Sequence, residues 1–429
     1  MDRPNVIVMI CHDIGQHLGC YGVETVSTPS LDGLAGEGVR FSNNFCTSPS
    51  CSPSRAAIFT GRYPHSNGVM GLCHNDFGWD LYPGEKHLAG LLHGAGYRTG
   101  LLGHQHETRR PHEMGYDDVK MGGHCGEVAE KSIPWLEDAA AGGQPFYGQI
   151  GFFEPHRPYD YGGATPDDSR GVTVPPWLVD EPSARDEFAG YQGAIRKVDA
   201  AMGEILAAVD RLGIRDNTVT IYTADHGMPF PRAKCSLYDP GIETPFIIRW
   251  PDGGWTGGRV QDELISNIDI VPTLLETLGI DGPDNIEGQS ATGLLNGTEH
   301  AARDEIFAEM TYHDYCDPRR CIRTRTHKLI ANFTTAPFFM NPSQTWRPGT
   351  ITKDPVEPTY AYHPHVELYD LEADPLELSN VADDEARAEV ADDLKARLLA
   401  WMEETDDPLR HGVPTPPHHV KAMEALRGG

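Results

Sequence analysis

Asn5-Val6-Ile7-Val8-Met9-Ile10-Cys11 is apolar and β-rich without a break, as expected of a strand buried on both faces of a parallel sheet. Similar short runs recur at 99–102, 146–152, 218–223 and 245–249, separated by helical stretches at 85–95 and 189–212. The alternation predicts an α/β fold: a doubly wound, mostly parallel sheet flanked by helices. Ligands in such sheets bind beyond the C-terminal ends of the strands, so the polar residues that follow each run are the candidate site. From about Arg303 the texture changes. Residues 321–330 and 366–371 read as strands of a smaller antiparallel sheet, and 385–404 as an amphipathic helix, which divides the chain into a large α/β domain (1–302) and a C-terminal α+β subdomain (303–429). The stretch 333–365, rich in proline, threonine and aromatics, reads as a long loop that either wraps the site or serves only as packing.

At 429 residues with 39% hydrophobic and 23% charged side chains, the chain can bury a sizeable core. Its formal net charge of −28 repels nucleic acid, anionic membranes and long polyanions over most of the surface, so an anionic substrate must be small or presented end-on. No apolar stretch is long enough for a membrane span, and the chain enters its first strand without a charged n-region or cleavage site. The expectation is a cytoplasmic protein, or a secreted one if a signal has been removed. Nine cysteines without a CxxC pair argue against a zinc ribbon and, being odd in number, against a fully paired disulfide framework. The oligomeric state is left open.

The richest motif is Cys51-Ser52-Pro53-Ser54-Arg55, followed by Ala56-Ala57-Ile58-Phe59-Thr60-Gly61-Arg62. Pro53 suits a first helical turn, with Ser52 as N-cap and Gly61 as C-cap. Cys51 then stands at a helix N-terminus, where free N–H groups and the helix dipole favour an anion, with Arg55 one turn on. The plain alternative is a buried cysteine before an ordinary helix. A thiolate phosphatase is disfavoured, since it would need five residues between cysteine and arginine and only three intervene. The run resembles the signature of the type I sulfatases, Cys-x-Pro-x-Arg followed by a small-residue helix and Thr-Gly-Arg, within the alkaline-phosphatase-like superfamily. The resemblance implies that a separate formylglycine-generating enzyme oxidises Cys51 to formylglycine, whose gem-diol is the nucleophile. A thiolate would end as a stable thiosulfate-type adduct, whereas a diol expels sulfate by collapsing back to the aldehyde.

His12-Asp13 ends the first run and Asp225-His226-Gly227 the run at 218–223, so carboxylates at two strand ends can converge on one cation. The resemblance implies that Asp13, Asp225 and His226 bind a divalent metal, usually calcium, together with an oxygen of the modified Cys51. His12 departs from the family, standing where most sulfatases have the first of two consecutive aspartates. Imidazole in place of carboxylate removes a negative charge and adds a softer donor, which moves the site from calcium toward manganese, zinc or iron. His12 is either a ligand or a hydrogen-bonded neighbour of the ligands. In Gly103-His104-Gln105-His106, where sulfatases usually carry Gly-Lys-x-His, His106 matches the base that acts on the diol. His104 replaces the sulfate-neutralising lysine, a weaker clamp when neutral. Phe153-Glu154-Pro155-His156-Arg157-Pro158 matches the family's Pro-His segment, with His156 the donor or general acid toward the leaving group and Arg157 a substrate contact. Lys234 matches a basic sulfate-binding position. Twenty histidines make chance matches easy, so these assignments gain weight only together.

The segments 225–231, 154–157 and 400–408 look like the N-sulfoglucosamine sulfohydrolase branch, whereas 368–375 is a general sulfatase feature. The expected function is therefore a sulfatase acting on a sulfate ester or sulfamate of a small sugar. A phosphonate monoester or phosphodiester hydrolase of the same superfamily is the second reading. A non-catalytic binder of sulfated ligands is the third, and it would not require a modifiable Cys51 beside Arg55, Asp225 and His106.

Overall fold

The computed structural model describes residues 3–298, 300–336 and 362–427; most of the loop expected at 333–365 lies outside them. The large sheet is built from β1 (Asn5–Cys11), β2 (Val39–Phe45), β3 (Arg98–Gly103), β4 (Asp118–Met121), β5 (Phe146–Gly151), β6 (Thr218–Ala224), β7 (Phe246–Arg249) and β8 (Arg259–Ser266). Their order is β4-β3-β5-β1-β6-β7-β2-β8. β1 lies between β5 and β6 and is parallel to both. β3 is parallel to β4 and β5, and β2 to β8. Among the described residues only β7 runs against its neighbours in this sheet, β6 and β2. The run at 245–249 is thus a strand as expected, but of opposite sense.

Successive side chains of β1 enter opposite cores, which is why the run is apolar throughout. Ile7, Met9 and Cys11 pack with α1 (Pro29–Glu37), and with later helices described by Cys125–Ala141 and Pro182–Arg211. Val6, Val8 and Ile10 pack with α2 (Cys51–Thr60), with the helix Leu88–Gly94, and with Ile270–Leu278. The sheet is doubly wound, as the periodicity predicted. Three strands of this sheet were not evident in sequence. β2 reads Val-Arg-Phe-Ser-Asn-Asn-Phe, β4 has four residues, and β8 opens Arg-Val-Gln-Asp-Glu. Each is too polar or too short to pass as a run buried on both faces.

A four-stranded antiparallel sheet follows, ordered β12-β11-β10-β9, from β9 (Glu305–Tyr312), β10 (Cys316–Thr324), β11 (His327–Asn332) and β12 (Val366–Asp370). The single strand expected at 321–330 is a hairpin. Thr324 Oγ1 accepts from His327 N at 3.0 Å and turns the chain without glycine, proline or asparagine, so no turn residue marked it. Ile306, Ala308, Cys321, Ile330 and Tyr369 of this sheet share a core with Phe45 of β2 and with Leu237 and Ile242 from the connection between β6 and β7. The helix Ala388–Glu404 buries Leu394, Leu398, Trp401 and Met402 in a core that also contains Ala57 of α2. Burying each such side chain stabilises by about 1.5–3 kcal/mol, so the C-terminal helix helps hold the helix that carries Cys51.

Candidate active site

α2 starts at Cys51, with Ser50 as N-cap in extended conformation. This corrects the expected cap at Ser52, whose hydroxyl instead accepts from Cys73 N at 3.1 Å. Gly61 ends the helix at φ 70°, a conformation that favours glycine. All ten residues of α2 are buried, so the helix fixes Cys51 rigidly. Because β1, β3, β5 and β6 run parallel, their C-terminal ends lie on one edge. That edge carries His12 and Asp13, His104 and His106, His156 and Arg157, and Asp225 and His226.

Asp13, Asp225, His226, His12 and Cys51 form one buried group whose ligand-type atoms all lie within 4.8 Å of one another. His226 Nε2 is 3.0 Å from Asp13 Oδ1 and 3.4 Å from Cys51 Sγ, while His226 Nδ1 stands 2.9 Å from the Gly227 carbonyl, which orients the ring with Nε2 inward. Asp225 Oδ1 accepts from the backbone N–H of Asp13 and of His226, both at 2.9 Å. His12 Nδ1 lies 2.6 Å from Asp13 Oδ1 and 3.2 Å from Asp225 Oδ2. Lys234 Nζ donates to both Asp13 oxygens, at 3.0 and 2.9 Å. Arg55 donates from Nε to Asp225 Oδ2 at 2.9 Å and from Nη2 to the Cys11 carbonyl at 3.2 Å, so it braces the carboxylate directly. Ser54 Oγ donates to the Asp225 carbonyl.

The electrostatics of this group are those of a cation site. Burial opposes the charge on His226, yet Asp225 and Asp13 outweigh it and push the imidazole well up. His12 is likewise raised by Asp225 against burial. Burial favours the neutral form of Asp13, but Lys234 and His12 hold it well below the usual carboxylate range. Burial raises the Cys51 thiol, but Lys234 and His12 more than reverse this and hold it low. Two buried carboxylates draw positive charge to the point where His226 Nε2 and position 51 meet, and the donor set of two carboxylates, imidazole and a position-51 oxygen fits a divalent cation.

The cluster opens into a cavity of about 500 Å³ lined by His12, Cys51, His104, His106, His156 and Lys234, among others. His156 Nδ1 is 2.6 Å from the Arg157 carbonyl, and its Nε2 is 3.8 Å from Asp13 Oδ2. Burial and then Lys234 push His156 down to about 3, so in the resting site it is a neutral ring with its Nε2 lone pair available. His104 is driven well below the ordinary histidine value by burial and by Arg55, and His106 is lowered chiefly by burial. Arg157 lines the same cavity, but its Nε donates to Glu187 at 3.0 Å and its guanidinium lies over Tyr159 and Phe230. The sequence did not single out Leu72, His74, Phe77, His313 and Asp314, which complete the wall. Leu72, His74 and Phe77 sit on a connection far from any strand, His313 and Asp314 in the turn between β9 and β10, and no spacing marks them.

Residues 4–280 match the sulfatase family model, and residues 232–364 match the model of the N-sulphoglucosamine sulphohydrolase C-terminal region. Human N-sulphoglucosamine sulphohydrolase is 28% identical over 465 aligned residues, covering 95% of this chain and 91% of the relative. A protein solved in complex with its substrate D-glucosamine-2-N,6-O-disulfate superposes with a TM-score of 0.75 at 20% identity, covering 95% of this chain and 99% of that one. The phosphonate monoester hydrolase of Agrobacterium radiobacter superposes with a TM-score of 0.70 at 22% identity, covering 94% and 96%.

Proposed function

Since the chain belongs to the sulfatase family and is a sulfuric ester or sulfamate hydrolase, we propose that it cleaves the N-sulfate or O-sulfate of a small amino sugar at Cys51. The observation that carries this reading is the meeting of Cys51, Asp13, Asp225, His226 and Lys234 in one buried group at the floor of a cavity. The sulfamate and the amino sugar are supported by the human relative and by the C-terminal match. The likeness to the phosphonate monoester hydrolase extends to the fold.

A formylglycine made from Cys51, once hydrated, supplies a hydroxyl that attacks sulfur and a second hydroxyl through which sulfate is released. Because Cys51 is only 2% exposed in a wholly buried helix, the formylglycine-generating partner must act before this part of the chain folds. Asp13, Asp225 and His226 would hold a divalent cation, which supplies positive charge to the attacking oxygen and the sulfuryl group. Calcium suits the two carboxylates, while the imidazole admits manganese or zinc.

The other steps belong to the chain's own side chains. Arg55 positions Asp225 through its 2.9 Å bond. Lys234, buried and charged beside Asp13, supplies positive charge where the sulfuryl oxygens gather. An arriving sulfate or sulfamate offsets the repulsion of Lys234 and raises the proton affinity of His156, so this ring can carry a proton to the departing amine or alkoxide. His106 stands at the cavity wall with Nδ1 unpaired, able to accept a proton from the position-51 hydroxyl. All nine cysteines are free thiols in the structure, which supports a reducing, cytoplasmic setting. No helix among the described residues is long and apolar enough to cross a membrane.

The test is turnover of glucosamine N-sulfate, an aryl sulfate and a phosphonate monoester by protein whose intact mass is known. Conversion of Cys51 to formylglycine lowers the mass by about 18 Da. The expected result is cleavage of the sulfated substrates in proportion to the modified fraction. Preferential turnover of the phosphonate, or full activity of the unmodified thiol form, overturns the proposal.

A further inference from the structure

Beside the carboxylate cluster, a second set of donors meets on the cavity wall. His12, His104 and His106 each offer a ring nitrogen in a group whose atoms lie within 4.8 Å of one another, with ring centroids 5.4, 6.2 and 5.6 Å apart. The hydrogen bonds indicate which nitrogens remain. His12 Nδ1 is committed to Asp13 Oδ1 at 2.6 Å and lies 3.2 Å from Asp225 Oδ2. It therefore acts as the donor to carboxylate, and Nε2 is the nitrogen left for a metal, which displaces any proton held there. His106 Nε2 is engaged by His74 Nδ1 at 2.6 Å, and its Nδ1 is buried without a hydrogen-bond partner. His104 Nε2 is buried and unpartnered as well.

Buried polar nitrogens are normally satisfied, and here two are left over beside a third whose tautomer is fixed by a carboxylate. An imidazole held by carboxylate at one nitrogen and open at the other is the usual arrangement of a metal-binding histidine. His12 has this arrangement, His106 is held instead by the His74 ring, and the three rings facing one cavity make a nitrogen tripod with a fourth position open to an incoming oxygen. We propose that His12, His104 and His106 bind a transition-metal dication of the zinc class, separate from the cation of Asp13, Asp225 and His226.

Nitrogen donors favour zinc, or manganese and iron, over calcium. Positions 12 and 104 are also the two at which the sequence departs from the sulfatase pattern, and both departures fall in this tripod. His104 stands where that pattern has a lysine, and a dication on the tripod restores the positive charge that a neutral imidazole does not supply. With a metal on the tripod the His106 Nδ1 lone pair is a ligand, and the proton-accepting role given to it above belongs to the metal-free ring. Only this catalytic consequence rests on the sulfatase reading; the metal site does not depend on turnover.

The experiment uses the full chain with Cys51→Ser, which removes the thiol as a competing zinc ligand, and titrates zinc and calcium separately by calorimetry with elemental analysis. Cobalt absorption serves as the report of nitrogen coordination. We expect zinc binding at the tripod to weaken about 100-fold or more in His104→Gln, as loss of a ligand should exceed the 10–100-fold effect of losing an outer partner, while cation binding that depends on Asp225 persists. His104→Lys should likewise lose the tripod metal. If His104→Gln proves unfolded by circular dichroism, His74→Ala decides, since removing the ring behind His106 should weaken zinc about 10–100-fold. Zinc affinity unchanged in the folded His104 variants, or unchanged in His74→Ala, overturns the proposal. Turnover is read separately on protein with Cys51 converted to formylglycine: zinc binding through His104 with no hydrolysis of sulfated substrate by that protein would refute the function and leave the tripod standing, and a sulfatase indifferent to His104→Gln in zinc binding would do the reverse.

Discussion

Two buried clusters of this protein have nearly the same chemistry and different consequences. At the cavity floor Asp13, Asp225, His226 and His12 crowd together; near α2, His65, Glu309 and Asp407 do the same, again with ligand-type atoms within 4.8 Å. In the second cluster Arg320 fills the centre. Its Nη2 donates to Asp407 Oδ1 at 3.0 Å, its Nε is 3.3 Å from Glu309 Oε2, and its Nη1 donates to the Met310 carbonyl at 3.0 Å. Glu309 in turn accepts from the His65 backbone N–H at 2.7 Å and faces His65 Nδ1 at 2.5 Å. The chain has supplied its own cation there, and none of these residues lines the cavity above Cys51. At the floor, Arg55 takes one oxygen of Asp225 and Lys234 both oxygens of Asp13, but the cluster also borders about 500 Å³ of open space. Residue types alone do not separate a reactive centre from a structural lock; access and leftover lone pairs do.

Breaking each cluster should therefore damage a different property. Cys51→Ala should lower kcat by about 10⁴-fold or more, as expected when the nucleophile is removed, with unfolding free energy within about 1 kcal/mol of wild type because little buried volume is lost. Turnover of modified protein alongside urea denaturation reads both, and a variant that keeps activity but loses stability would invert the comparison. Arg320→Met should do the opposite. It leaves Glu309 and Asp407 buried without their counter-charge, a loss of about 3–5 kcal/mol, while kcat/KM of the folded fraction stays within a few-fold. A large kcat/KM defect in well-folded Arg320→Met would show that the lock reaches the chemistry.

Sequence carried the first of these clusters and missed the second. β1 announces itself because both its faces are buried, and the polar pairs at its end and at the end of β6 follow from where such strands stop. The motif around Cys51 was legible because proline, glycine and small residues constrain a helix start and end locally, although the cap lies at Ser50 and not at Ser52. His65, Glu309, Arg320 and Asp407 come from four separate segments, and only long-range packing brings them together. The same is true of His74, His313 and Asp314 on the cavity wall. The half-polar strands β2 and β8 hid for a related reason, since their pairing depends on neighbours that periodicity does not name. The role of His12 was equally undetermined in sequence: its spacing placed it beside Asp13, but only the 2.6 Å contact shows which ring nitrogen is occupied.

His87 sharpens the contrast on a smaller scale, because it is a buried histidine with a purely local task. Its Nδ1 accepts from Ala89 N at 3.1 Å and caps the helix Leu88–Gly94, and its ring packs on Phe59 of α2 with centroids 5.5 Å apart. An accepting Nδ1 requires the neutral ring. Glu107 Oε1, 3.9 Å from Nε2, already accepts from Gln149 Nε2 at 2.7 Å, and burial pushes His87 down to about 3. A base whose folded value is depressed leaves the unfolded chain to take up the proton. Its stabilisation is complete above the ordinary value of about 6.5 and is lost progressively as pH falls toward 3. Between pH 7 and pH 5 that loss is about 2 kcal/mol for this one group. His87→Asn keeps an acceptor suited to an N-cap and cannot titrate, so each protein is compared with itself. The unfolding free energy of wild type should fall by about 2 kcal/mol more than that of His87→Asn over this interval. Equal acid sensitivity in the two would mean that the proton goes elsewhere, or that the capping nitrogen tolerates charge as His12 and His226 do beside their carboxylates.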